Sequence, residues 1–158
     1  MNLQYSMSLE QMLREGGYAE LRGYIPKIWV QGEGKVSIPE VIELRQDTDG
    51  MEAVLKQVAE RGYRVANIPQ LLALGMSRPH EIATTPVAVF QPFYDEVPVG
   101  SDHRLMHAYR VYEIFLDTNK RKRFKLMQHK YQKNIPSGAD IETVFCPKKG
   151  TRIAVMRK

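Results

Sequence analysis

Seven cations crowd residues 119–133 of this chain, NKRKRFKLMQHKYQK, and no acid stands among them. They are Lys120, Arg121, Lys122, Arg123, Lys125, Lys130 and Lys133, interleaved with Phe124, His129 and Tyr131. A nucleic acid asks of its partner cations along the phosphate backbone and flat rings on which bases stack, and this stretch has both. The plainer reading is a hairpin whose lysines face water and blunt an edge strand. On a strand the set divides: Arg121, Arg123, Lys125 and Lys133 share a face with Tyr131, while Lys120, Lys122 and Lys130 share the other. The expected polyanion-binding residues are Lys120, Arg121, Lys122, Arg123 and Lys125, with Phe124 and Tyr131 as stacking groups. If about four cations touch duplex phosphates, affinity falls with salt at a log–log slope near −3.6.

Other residue types could do chemistry, but each lacks a companion. His103 and His107, four apart, would share a helical face able to grip a metal. No Glu lies between them, so the zinc-protease pattern fails, and on a strand they stand farther apart. Cys146 has the field of Lys148 and Lys149 but no recognisable base, and reads as a small hydrophobe at a strand end. Gly32-Glu33-Gly34-Lys35 is followed by Val36 where a phosphate loop needs Ser or Thr, so a surface turn fits better. Asp47 and Asp49 read as turn and cap residues, and Asp95 and Glu96 as a loop before Pro98. Trp29 lies in an apolar run with Ile25, Ile28 and Val30, where core packing is the default. No catalytic set, metal or cofactor is expected.

The charge is unevenly placed. Residues 1–99 hold nine Lys and Arg against thirteen Asp and Glu, whereas residues 100–158 hold fourteen against five. The net is −4 in the first part and +9 in the second. A field of one sign confined to one region steers association with anions and says nothing about fold. The 158 residues, 43% hydrophobic and 26% charged, suit one domain with a single real core, residues 1–158. No apolar run reaches the length of a membrane span. Met1-Asn2-Leu3-Gln4 lacks a secretory layout, and a lone cysteine fits a reducing compartment, so a cytoplasmic protein of bacterial style without a membrane anchor is expected.

The elements that must position these residues are punctuated by Gly and Pro. Ser8 caps a helix with Gln11 reaching back, Leu9, Met12 and Leu13 form its stripe, and Gly16-Gly17 ends it. Asp49 and Glu52 form the two halves of a second capping box. Met51, Val54, Leu55, Val58 and Ala59 then repeat at helical spacing as far as Gly62, a left-handed stop. Asn67 starts a third helix with Pro69 and Gln70, closed at Gly75. Extended candidates are 25–31 and 41–45, the second open to a helical alternative from Ser37. Residues 86–90 and 109–116 read as strands, the latter ambiguous with a helical face, with a turn at 117–120. Residues 141–146 and 152–156 flank a Pro-to-Gly turn as a closing hairpin. Helices early and antiparallel hairpins late make an α+β layout.

Two phrases carry a resemblance. Ser8-Leu9-Glu10-Gln11-Met12-Leu13 with Gly16-Gly17-Tyr18, and the segment 52–75 (EAVLKQVAERGYRVANIPQLLALG), resemble a set of small uncharacterised bacterial proteins over about the first ninety residues. That likeness implies no activity. Residues 62–71 (GYRVANIPQL) are similar, more distantly, to the G-[FWY]-R-L-P-T-x-x-E-[WL] phrase of C-type-lectin-like domains. Residues 152–157 stand where that family has its closing strand. Ala66 replaces the usual Pro, Gln70 the usual Glu, and the paired cysteines are missing; the phrase implies scaffold and no chemistry.

Three function classes stay open. The first is a non-enzymatic binding domain whose basic C-terminal half meets nucleic acid or an acidic protein. The second is a self-associating assembly protein, with the acidic half of one copy against the basic half of another. The third, least supported, is an enzyme on an anionic substrate using His103, His107 or Cys146.

Overall fold

The computed structural model describes residues 2–19, 32–99, 102–131 and 147–158, with the backbone alone at 92–99, 102–108 and 126–131. It is an α+β fold: three α-helices, mostly early, and a six-stranded mixed sheet. In chain order these are α1 (Leu9–Glu15), β1 (Glu40–Glu43), α2 (Met51–Glu60), β2 (Tyr63–Val65) and α3 (Ile68–Ser77). A 3-10 turn (Pro79–Ile82) precedes β3 (Val87–Val99), β4 (Asp102–Leu116), β5 (Lys122–Tyr131) and β6 (Arg152–Arg157). The strands lie in the order β1-β6-β3-β4-β5, and β2 also pairs with β6. Val155 is opposite both Glu40 of β1 and Val65 of β2, so those two short strands flank β6 on opposite edges.

Alternation along the strands splits the core between the two faces of the sheet. Val87, Val89, Tyr112, Ile114, Phe124 and Ala154 meet α1 and α3 on one face. Ala88, Phe90, Val111, Ile153 and Val155 meet Met51, Val54 and Val58 of α2 on the other. Helix α3 is buried from Ile68 to Gly75, which is why its leucines show no polar face.

Both expected capping boxes at α1 and α3 form: Ser8 with Gln11, and Asn67 with Gln70. The box at α2 does not. Gly50 is the N-cap residue and makes no side-chain bond. Asp47 instead accepts from the Lys149 amide at 2.8 Å, and the Thr48 hydroxyl donates to the Pro147 carbonyl at 2.8 Å. The approach to α2 is thus tied to the loop before β6, and the chain enters the helix later than Asp49. Glu52 still favours the positive end of the helix. Gly62 has φ +82° and stops α2 as expected. Residues 40–43 are a strand and no helix starts at Ser37. The expected strands at 25–31 and 141–146, Trp29 and Cys146 lie outside the described residues.

Two further expectations need correcting. Gly75 does not close α3, which continues to Ser77. Its missing side chain serves another end: a Cβ there would lie 2.3 Å from the Tyr18 hydroxyl and 3.0 Å from Ile114. Asp95 and Glu96 are not in a loop. They sit in β3, opposite Met106 and Leu105, because β3 runs thirteen residues alongside β4. Pro92 and Pro98 do not interrupt it, since β3 meets β6 only near Ala88 and beyond it has no second neighbour among the described residues.

Tyr18 plugs the space between α1, α3 and the sheet. It is 8% exposed, and its hydroxyl donates to the Leu72 carbonyl at 2.8 Å. Burial away from water drives its pKa far above the usual phenol range. Below pH 10 the phenol is neutral whether folded or not; above it, only the unfolded chain ionises freely. Unfolding free energy is therefore expected to fall above pH 10 by up to about 1.4 kcal/mol per unit. Lys122, held below its usual range by desolvation, acts in the opposite sense up to its ordinary value of 10.5, and no further. Denaturant titrations of wild type and Tyr18→Phe from neutral to alkaline pH check this: the variant lacks the Tyr18 share of the loss, and parallel curves would refute it.

Candidate functional site

The basic hairpin is built around one carboxylate. Asp117 directly follows β4 and accepts from the amides of Asn119 and Arg121, both at 2.9 Å, through Oδ1. Its own amide donates to the Arg121 carbonyl, and the Lys120 amide donates back to the Asp117 carbonyl. This closes a tight loop in which Lys120 takes the left-handed conformation, φ +59°. The second carboxylate oxygen, Oδ2, receives Arg123 Nε at 2.9 Å and lies 3.5 Å from Arg121 Nε. The Arg121 amide, then the Arg123 side chain, hold the Asp117 carboxyl below its usual range. One anion thus fixes two guanidiniums, leaving the turn a net cation beside the exposed Lys120.

Strand alternation sorts the remaining residues. Lys125 stands opposite Glu113 in the β4–β5 register and pairs with it at 3.0 Å, its ammonium also 4.9 Å from the Phe115 ring centre. Half of the Lys125 side chain stays exposed. Lys122 and Phe124 point to the opposite face. The Lys122 ammonium donates to the Gly16 carbonyl and, at 3.3 Å, to that of Gly75, 5.1 Å from the Tyr18 ring centre. Both carbonyls belong to helix C-termini, where the dipole favours a cation. Phe124 is 4% exposed and stacks on Tyr112, with ring centres 5.6 Å apart and planes 3° from parallel. Both residues are thereby engaged inside the fold, while Lys120, Arg121, Arg123 and Lys125 gather around the turn and one face. Tyr131 lies farther along β5, opposite Ala108, and Lys133 outside the described residues.

Asp117 had been legible only as a turn former, and Glu113 had not stood out at all. Its signal was countable: once Asp117 and Arg121 close the loop, residue 113 falls opposite residue 125. The β4–β5 register holds as far as Leu126 opposite Tyr112 and then shifts by one residue, which sets Gln128 opposite Val111.

The other candidates separate in space. His103 and His107 lie on strand β4, opposite Pro98 and Tyr94, so four residues put them roughly 13 Å apart along the backbone. Among the described residues no group of three or more His, Cys, Asp or Glu is placed to hold a metal. Gly34, φ +70°, turns the chain where Tyr5 donates to its carbonyl at 3.0 Å. A shallow groove of about 440 Å³ opens over Ala88 and Val111. On its charged rim Glu113 pairs with Lys125 and Arg152 with Glu81, and Lys148 also lines it. No described helix is long and apolar enough to cross a membrane. Comparison of the chain with protein-family models, curated proteins and solved structures finds no match.

Proposed function

We propose that this chain is a non-enzymatic binding domain whose β4–β5 turn meets an anionic partner, the phosphate backbone of a nucleic acid or the acidic face of a protein. The observation that carries it is the grouping of Lys120, Arg121 and Arg123 around Asp117, with the half-exposed Lys125 beside them on Glu113. Because Asp117 anchors Arg121 and Arg123, those two guanidiniums are held in place before a partner arrives, which lowers the entropy lost on binding. With Phe124 inside the core, contact falls to charge rather than to base stacking at that position. Such contact positions a backbone without reading sequence.

The test is binding of the full chain to a short DNA duplex and to an acidic peptide, followed by fluorescence anisotropy across a salt series. About four phosphate contacts give the duplex a log–log slope near −3.6. Lys120→Glu with Arg121→Glu is expected to weaken binding and flatten that slope, while Arg123 keeps its bond to Asp117 and the fold. Unchanged affinity and slope in the double variant would remove the proposal.

A further inference from the structure

The strand registers set one row across the sheet: Ile153 of β6, Ala88 of β3, Glu113 of β4 and Lys125 of β5. Strands β3 and β5 both run antiparallel to β4, and β6 runs parallel to β3, so β5 and β6 point the same way. The chain therefore enters both at one end of the sheet. Before β5 stands the basic turn at Asp117–Arg121. Before β6 stands a second turn, closed by the Thr151 amide on the Lys148 carbonyl at 3.0 Å, with Gly150 at φ +89°. Lys148 and Lys149 belong to it, and the topology brings them to the same end as Lys120 and Arg121, far from them in sequence.

They also stand on the same face. Lys148 lines the groove with Val111 and Glu113, and Glu113 shares its face with Lys125. Strand β6 lies two strand spacings from β4 and three from β5, so at about 4.8 Å per step the two groups of cations are roughly 10–14 Å apart. Lys148 and Lys149 are exposed, and among the described residues neither ammonium meets a carboxylate. Asp47 accepts from the Lys149 amide and Thr48 donates to the Pro147 carbonyl, so the backbone of this turn is fixed while both side chains reach water. Arg152, next along, is tied to Glu81 and belongs to neither group.

We infer, on the strength of the function proposed above, that Lys148 and Lys149 form the second half of the anion site, and that the partner is a nucleic-acid duplex whose two phosphate rows rest on the two groups. A duplex carries phosphates along both sides of each groove, and its wider groove is about 12 Å across, the scale of the separation found here. A single strand has one row. Lying between the groups, it would pass the Glu113 carboxylate over a floor of Ala88 and Val111, where no aromatic ring lines the groove to stack a base. A protein partner takes its affinity from a central anchor seated in a pocket, and small side chains on a shallow floor give it none. Contact by the duplex needs the two rims alone.

The test is anisotropy of the full chain with a short DNA duplex, one of its strands alone, and poly-glutamate, each across a salt series. About six phosphate contacts give the duplex a log–log slope near −5.4, against about −3.6 for the β4–β5 turn by itself. Lys148→Gln with Lys149→Gln is expected to lower duplex affinity and return the slope to about −3.6, with the melting temperature unchanged. The single strand is expected to bind more weakly and to ignore the two changes. A duplex slope that the changes leave unmoved overturns the inference and leaves the β4–β5 turn as the whole site. A single strand that binds as tightly and responds equally overturns the duplex as partner. Binding of poly-glutamate without the duplex overturns it too, and leaves the acidic protein that the proposed function allows. A wild type that binds none of the three removes both.

Discussion

Phe124→Ala is expected to lower the unfolding free energy by about 3–5 kcal/mol, the cost of emptying a large aromatic site in a packed core. Phe124 lies against Tyr112, which is fully buried, and shares a cluster with Ile114 and Leu74. The parallel stack at 5.6 Å adds to the area it hides from water. Phe124→Leu, which keeps most of the volume, should cost under about 1.5 kcal/mol. Denaturant melts of both variants measure this directly. The prediction separates two roles for one ring. If Phe124→Ala left stability untouched and reduced affinity for a single-stranded oligonucleotide, the ring would belong to the surface.

The second large effect concerns Gly75. Alanine in a helix interior normally stabilises by about 0.5–1 kcal/mol relative to glycine. At Gly75 the sign reverses, because the new methyl group would lie 2.3 Å from the Tyr18 hydroxyl and 3.0 Å from Ile114 Cδ1. Overpacking of this kind costs about 1–3 kcal/mol. Tyr18→Phe removes the closest atom, so the double variant should lose at least about 0.5 kcal/mol less than the sum of the single losses. A double-mutant cycle by chemical denaturation checks it; strict additivity would mean that α3 shifts away from Tyr18 instead of straining against it.

Much of the fold could be read from local chemistry. The capping pairs Ser8–Gln11 and Asn67–Gln70, the stop at Gly62 and the turn at Asp117 each rest on residues within four positions of one another. What could not be read came from afar. Asp49 looked like a cap because nothing nearby shows that its neighbours Asp47 and Thr48 are tied to Lys149 and Pro147, about a hundred positions on. Gly75 looked like a terminator because the tyrosine crowding it belongs to a loop before the sheet begins. Asp95, Glu96 and the two prolines looked like a loop because an edge strand tolerates them and the letters do not show which strand is at an edge. The basic stretch was legible as charge. That Lys122 grips helix ends while Arg121 and Arg123 share Asp117 required the hairpin to be closed.

The place of β6 has a consequence for how the chain acquires its shape. Residues 152–157, last in sequence order, lie between β1 on one side and β2 and β3 on the other. Until they have left the ribosome, β1 and β2 lack their strand partner among the described residues, and the face under α2 lacks Ile153 and Val155. Local hairpins β3–β4 and β4–β5 can close during synthesis, but the layers join only afterwards, over long loops whose closure slows folding. Before β6 emerges the nascent chain exposes apolar surface on both sides of an unfinished sheet, which makes chaperone contact at that stage a property of its topology.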